Sequence, residues 1–329
     1  LAGVGMVWDH YYEAEQIAEA LLDVGLSGVV APTLQDLAGP GAKAFEQQLD
    51  ATARIDDAPR FRDGGVYAAV GPHATDTVSD TLFRRAITIA EQRSIPLHAH
   101  AAQSVEEHRR AAERHGTTPI GWLGRIGALD ADVQLVLAHC LYVSRADLEL
   151  LAAAGACAVF CPYSQLVFGF PAPVGHWEAA GLRWVVATDC STNNDSMNVQ
   201  KELRMVAGQR TVASGWSPAY DALLKSGSRE AAAAVWEQRS QTFAALASLG
   251  AADNLLDRVW AGPGSLHAKF RVGKLEPGAL ANLVVWDLDH PALWPALEPL
   301  HVLAMADAPA AIWAMVVAGK DIGTAGDFH

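Results

Sequence analysis

An α/β fold, a (β/α)8 barrel of the TIM type followed by a small β appendage, is what this sequence predicts, and three observations carry the prediction. Short β-branched runs alternate with longer stretches of helical period from residue 1 to about residue 200, the pattern of repeated βα units around a parallel sheet. Polar or Gly/Pro punctuation follows each run, where the loops of a barrel belong. Seven such runs occur, and the chain opens at Leu1, without Met, in a stretch already approaching a strand. An eight-stranded barrel whose first strand lies upstream accounts for that count.

Taken in order, Gly5 to Trp8 is the first strand and Ala14 to Leu22 its helix. Gly28 to Ala31 and Val66 to Val70 are the next strands, followed by a helix from Thr81 to Arg93. Ile95 to Ala99 precedes a helix from Val105 to His115, and Val133 to Ala138 precedes one from Arg145 to Ala154, stopped by Gly155. Cys157 to Phe160, a short helix from Trp177 to Ala180 before Gly181, and Trp184 to Ala187 complete the alternation. Residues 200 to about 260 are helical and Ala-rich, and pack around the barrel in this reading. From Phe270 the character changes: Val272 to Gly278 is turn-rich, and Leu283 to Trp286 and Ile312 to Val317 read as strands.

Composition narrows the function. Hydrophobic residues at 51% and charged residues at 19% describe an ordinary globular interior. The 37 acidic residues against 24 basic ones give a formal charge of -13, and no Lys/Arg-rich run interrupts it. A nucleic-acid polymer or an anionic bilayer would be repelled. No apolar stretch approaches the roughly 20 residues of a membrane span, and no signal-peptide order opens the chain, so a cytoplasmic protein is the default expectation. Cys140, Cys157, Cys161 and Cys190 are too scattered for a disulfide framework. Cys157 and Cys161 form a CxxxC, but zinc would need a second pair, so buried free thiols are expected.

In such a barrel the chemistry belongs at the C-terminal strand ends. Four of these carry suitable side chains: Leu97-His98-Ala99-His100, Leu137-Ala138-His139-Cys140, Val70-Gly71-Pro72-His73 and Ala187-Thr188-Asp189-Cys190. A single strand-end His is commonly a satisfied core imidazole. Three strands ending in His and a fourth ending in Asp point instead to a catalytic metal site that keeps a position open for water. Residue alternation puts His98 and His100 on one side of their strand, with His100 nearer the top. Asp189 is the expected proton carrier, since a strand-end carboxylate can reach both ion and water. Its competing reading is a turn or helix-cap residue ahead of Ser191 to Asp195.

At these residues the chain resembles the amidohydrolase superfamily, in the branch of cytosine, guanine and thioadenosine deaminases and triazine hydrolases. The resemblance rests on Gly71-Pro72-His73-Ala74, His98-Ala99-His100, Leu137-Ala138-His139-Cys140, Cys161-Pro162-Tyr163-Ser164, Thr188-Asp189 and Asn193-Asn194-Asp195. The tail, from Val272-Gly273-Lys274-Leu275 through Asn282 to Asp287 and Val316 to Lys320, is similar to that family's terminal β-sandwich. The implied domains are a metal-dependent hydrolase barrel over residues 1–265 and the C-terminal part of a β-sandwich over 266–329. The resemblance implies one divalent ion, zinc first and iron as the alternative, on His100, His139 and Asp189. It implies catalytic roles for Asp189, His139 and the residue at Gln103, and substrate contacts from His73, Gln103, Tyr163 and Asn193. It also implies a small heterocyclic substrate and a homo-oligomer.

Two features depart from that pattern. The family's His-x-His pair of the first strand is not in this chain. Reading His98 and His100 as that pair would leave about 95 upstream residues to hold three further strands, so the fifth-strand placement fits better. The deaminases also carry Glu three residues after the fifth-strand His, where this chain has Gln103. An amide hydrogen-bonds but does not exchange a proton at a useful pKa, and loss of a general acid/base costs about 10²–10⁴ in rate. Glu106 and Glu107, one turn on, are expected on a solvated helix face.

The expected reaction is hydrolytic deamination of a purine, pyrimidine, pterin or triazine. Gln103 keeps two alternatives in play: hydrolysis of another C–N or a C–halogen bond (amide, urea or chlorotriazine), or a catalytically impaired variant. A metal-free scaffold on a retired barrel is the reading outside enzymology. Tyr163, Gln165, Phe168, Trp8, Tyr11 and Tyr12 fall at or near strand ends and could line a site for a flat ring, or be plain packing. His10 could be a further substrate contact or a structural hydrogen bond.

Overall fold

Alternation of β-branched runs with amphipathic helices resolves, in a computed structural model, into a curved parallel sheet wrapped by helices. The structure describes residues 3–168, 172–213, 217–306 and 308–324. Eight strand segments make up the sheet: β1 Met6–Tyr11, β2 Ser27–Leu34, β3 Val66–Ala68, β4 Gly71–Pro72, β5 Leu97–Ala101, β6 Leu135–His139, β7 Cys157–Phe160 and β8 Arg183–Val186. β3 and β4 lie in succession along β2, so the segments fill seven strand positions.

Pairing is parallel throughout. β1 pairs with β2, β2 with β3 and β4, and β5, β6, β7 and β8 follow in order. Single bridges, Val70 to Leu97 and Ala74 to His100, join the two halves. Gly71 is required where β4 meets β2, because a Cβ there would lie 2.6 Å from the Pro32 carbonyl oxygen and 3.0 Å from that of Ala31. Gly28 serves the β1–β2 contact in the same way, at 2.7 Å from the Val7 carbonyl oxygen.

Apart from β1, whose residues are half-buried or exposed, the strands have two buried faces, which is why their sequences read as apolar runs. Leu97, Ala99, Leu135, Leu137, Ala158, Phe160, Trp184 and Val186 join helical residues such as Leu82, Phe83, Trp122 and Leu148 in the main core. Alternate residues turn inward: Val136, Cys157 and Val185 meet Leu266, and Val29, Ala31 and Ala69 meet Phe270 and Val272. The segment after the barrel helices therefore fills the lower interior, where His267 Nε2 lies 3.0 Å from the Ala68 carbonyl oxygen.

Four helices of the barrel start on side-chain caps. Ser79, Ser104, Thr118 and Ser144 each accept a backbone N–H, and Ser144 with Asp147 forms a complete capping box. Helices over Phe45–Asp57 and Pro119–Arg125 join those expected from the sequence. The stretch after the barrel is helical as expected, over Val199–Ala213, Pro218–Ser226, Arg229–Ala245 and Ala252–Asp257.

β9 Leu283–Trp286, β10 Ile312–Val317 and β11 Lys320–Thr324 form a separate antiparallel sheet with β10 central. Asn282 fastens it to the barrel: its Nδ2 donates to the Gly5 carbonyl at 3.0 Å and to Ser27 Oγ at 2.6 Å, and its Oδ1 accepts from Ala318 N at 2.9 Å. Among the described residues no helix is long and apolar enough to cross a membrane.

Candidate active site

Where β4, β5, β6 and β8 end, their polar side chains meet. His100 on β5 lies against His139 on β6, with ring centroids 5.5 Å apart and planes nearly parallel. His73, just past β4, is 5.0 Å from His100, and His10 on β1 is 5.0 Å from His100, 5.1 Å from His98 and 6.0 Å from His73. Five imidazoles thus share one buried space. Asp189 faces them from beyond β8: its charge acts on both His100 and His139, and one of its oxygens, a nitrogen of His139 and Cys161 Sγ all lie within 4.8 Å of one another.

The backbone at these positions is strained. His139, Cys140 and Asp189 have φ of 76°, 49° and 61°, and Ala102 has 52°. Each left-handed non-glycine residue costs about 1–3 kcal/mol, and such outliers persist where the surroundings over-determine them. Here they turn strand-end side chains across the barrel mouth.

Hydrogen bonds fix what each group presents. His100 Nδ1 lies 2.8 Å from the His73 carbonyl oxygen, which leaves Nε2 for the site. His73 Nδ1 lies 2.8 Å from Thr77 Oγ1, and His10 Nε2 lies 3.1 Å from the Gly71 carbonyl oxygen. Asp189 accepts from Ser164 Oγ, from Cys190 N at 2.8 Å and from Asn193 Nδ2 at 3.4 Å. Burial pushes the Asp189 carboxyl up, but Ser164, His139 and Cys190 together outweigh it and hold the group below the usual carboxylate range. Burial, reinforced by neighbouring imidazoles, lowers His139 and His73 to about 4 and His98 to about 3. The rings are neutral near pH 7, so their lone pairs are available to a cation.

That donor set fits a divalent ion. Neutral imidazoles and an ionised carboxylate, with the Nδ1 atoms of His10 and His98 and Oδ1 of Asp9 buried without a partner among the described residues, bring together the kind of donor atoms a cation takes. Cys161 was not foreseen here. Burial beside Asp189 and Glu202 holds its thiol far above the ordinary range, so it is a neutral neighbour of the carboxylate. Among the described residues all four cysteines are free, and Cys140, Cys157 and Cys161 are buried.

Other expected residues are placed less centrally. Gln103 is half-buried directly after Ala102, and its backbone N–H donates to Glu107. Tyr163 is 41% exposed at the rim, with its N–H on Glu202 at 2.9 Å. Gln165 is buried. The aromatic set does not converge: Trp8 packs on His98 inside the barrel, Tyr12 is bonded to Gln35 at 2.7 Å, Tyr11 stands exposed beside it, and the Phe168 side chain lies outside the described residues.

Glu107 corrects the sequence reading. Glu106 is exposed and paired with Arg109, but Glu107 is 3% exposed. It accepts from Ala102 N at 3.0 Å, from Gln103 N at 2.7 Å and from the Thr75 hydroxyl. Glu202, 1% exposed, is its counterpart on the other side of the mouth, accepting from Tyr163 N and, at 2.6 Å, from Asn194 Nδ2. The available signal was Ser104 with an acid three residues on, a helix-start pattern that folds the carboxylate back toward the loop.

The model of the amidohydrolase family matches residues 1–234, and the chain belongs to that family. Among curated relatives it is 28% identical over 310 residues to the 5-methylthioadenosine/S-adenosylhomocysteine deaminase of Halobacterium salinarum, covering 93% of this chain and 63% of the relative. The enzyme of the same name from Haloarcula marismortui is 29% identical with the same coverage. The chain thus spans less than two thirds of the length of these relatives. Among solved structures, an adenosine deaminase from Xanthomonas campestris with bound zinc superposes with a TM-score of 0.77 at 23% identity, over 97% of this chain and 66% of that one. A guanine deaminase from C. acetobutylicum superposes with a TM-score of 0.71 at 16% identity, over 97% and 71%. These likenesses establish the barrel fold.

Proposed function

We propose that this chain carries most of the active site of a zinc-dependent aminohydrolase that removes an amine from an N-heterocycle, adenine-type nucleosides being the first substrates to try. The convergence of His100, His139 and Asp189 from three separate strand ends is the observation that carries the reading. The names of the curated relatives support it. His100, His139 and Asp189 would hold the ion, with iron as the alternative metal. When bound, the ion supplies Lewis acidity that makes water a competent nucleophile near neutral pH.

The remaining chemistry belongs to side chains. Asp189, kept ionised by Ser164 and Cys190 N, accepts the proton lost by the attacking water and delivers it to the departing amine. His139 stands against the carboxylate as a neutral ring whose lone pair is available to the ion. His73 and Asn193 sit beside His100 and Asp189 and are suited to hydrogen-bond the ring and its exocyclic group. Gln103 orients the heterocycle as a donor and acceptor without exchanging protons. Tyr163 at the rim contacts the outer part of the substrate.

Gln103 favours a second reading, hydrolysis of another C–N or a C–halogen bond, because a substrate whose leaving group needs no ring protonation tolerates an amide there. An atrazine chlorohydrolase from Arthrobacter aurescens, complexed with zinc, has the same fold, with a TM-score of 0.74 at 21% identity over 97% of this chain and 68% of that one. The test is a panel of aminopurine nucleosides, aminopyrimidines, pterins and chlorotriazines incubated with the full-length protein. Ammonia from an aminated ring supports the first reading, chloride alone supports the C–halogen form of the second, and neither product from a zinc-loaded protein would contradict those two.

A further inference from the structure

We infer that Glu107 is a positioning residue of this site: its carboxylate locks the turn that carries Gln103 to the loop that carries His73. The inference rests on the proposed hydrolase reading for its catalytic consequence, but the lock itself is a matter of geometry. Oε1 accepts from Ala102 N at 3.0 Å and from the Thr75 hydroxyl, and Oε2 accepts from Gln103 N at 2.7 Å. Thr75 follows His73 by two residues, and Ala102 follows His100 by two. One buried side chain therefore spans the loops after β4 and β5.

A helix cap alone would not be built this way. Ser104 already caps the helix Val105–His115 by accepting Glu107 N at 3.1 Å, and a capping box would return the carboxylate to the Ser104 N–H. Here the carboxylate reaches further back, to the two amides before Ser104. One belongs to Ala102, whose φ of 52° is unfavourable without support. Among the described residues its hydrogen-bond partners are all neutral donors, and Arg110, one turn on along the same helix, is engaged with Asp76 and Glu106. A carboxylate buried without a cation is costly. Only an acceptor with two fully available oxygens meets three convergent donors, since an amide would turn N–H groups toward at least one of them.

The lock fixes Gln103 relative to His73 and His100, whose own contact is the His100 Nδ1 to His73 carbonyl bond of 2.8 Å. Loss of the lock therefore affects how substrate is held more than how metal is held. Removing groups that orient ligands in this way commonly costs 10- to 100-fold.

The test compares Glu107→Gln, Thr75→Val and the control Glu106→Gln in the full-length zinc-loaded protein, by hydrogen exchange and by kinetics. In Glu107→Gln, amide exchange of the segment 101–104 is expected to rise about tenfold or more, while β5 amides such as Leu97 stay protected and zinc per chain is unchanged. kcat/KM is expected to fall about 10- to 100-fold. Thr75→Val, which removes one leg, is expected to show a smaller change of the same kind, and stands in if Glu107→Gln does not fold. Glu106→Gln is expected to match wild type. Exchange of 101–104 within twofold of wild type in the folded variants would overturn the inference, as would loss of protection spread evenly through the sheet. An inactive wild type would sink the hydrolase reading instead, and the exchange measurement would still decide the lock.

Discussion

The Nδ1 atom of His100 lies 2.8 Å from the main-chain carbonyl oxygen of His73, and this contact sets the polarity of the whole site. A carbonyl only accepts, so the proton sits on Nδ1 and the Nε2 lone pair points into the barrel mouth. The same carbonyl also accepts the backbone N–H of His100 at 2.8 Å, which ties the end of β5 to the loop after β4.

Ser164 is the first place to test the electrostatics. Its hydroxyl is the largest influence holding the Asp189 carboxyl down against burial. Ser164→Ala removes that donor, so the Asp189 pKa rises and the acid limb of the kcat/KM profile moves to higher pH. A loss of kcat/KM that is larger at acid pH than at pH 8 is expected from steady-state kinetics across that range.

Gln103 allows a gain-of-function experiment. Gln103→Glu introduces a proton-exchanging group where the amide now stands, and ammonia release from aminated rings is expected to rise about tenfold or more. A drop in deamination with an unchanged zinc content would show that the amide suits the native leaving group better.

Stability should depend on pH through His267. Burial is the main cause that lowers it from 6.5 to about 4, with the Ala68 carbonyl contact opposing. A depressed pKa means the unfolded chain takes up the proton first, so this stabilisation is complete above pH 6.5 and is lost as pH falls toward 4. The difference amounts to about 3 kcal/mol at 1.36 kcal/mol per unit. His267→Gln, which can keep the hydrogen bond, should flatten the stability curve between pH 6.5 and 4 by about that amount in denaturant titrations at each pH.

Gly71 tests the packing that aims His10. Gly71→Ala places a Cβ within 3.0 Å of two carbonyl oxygens of β2, and its own carbonyl oxygen is the contact of His10 Nε2. A destabilisation of about 1–3 kcal/mol is expected in urea unfolding, with Gly124→Ala, whose Cβ would meet only Leu129 Cδ1 at 3.5 Å, as the milder comparison.

The barrel was legible because most of its strands are buried on both faces and so announce themselves as β-branched runs between turn residues. Strand ends offered His73, His98, His100, His139 and Asp189 as candidates because they fix which side chains face the mouth, and the family resemblance then singled out His100, His139 and Asp189. Phe45–Asp57 was not legible because it opens from Ala44 without a side-chain cap, so no start signal marks it in the sequence. Glu107 and Glu202 escaped because an acid near a helix start looks solvated, and only the loop folded over it decides otherwise. The aromatic residues misled for the opposite reason: proximity to strand ends in sequence does not say whether a ring stands inside the wall, as Trp8 does, or outside it, as Tyr11 does.

Release of ammonia from an adenine-type nucleoside by the full-length protein, before and after its metal is stripped with a chelator and one equivalent of zinc is returned, tests the central claim most directly. Stripping is expected to abolish release and one zinc per chain to restore it in wild type, while a His100→Ala, His139→Ala or Asp189→Ala variant is not restored. Release that survives complete removal of metal, or full restoration in those three variants, would contradict that claim.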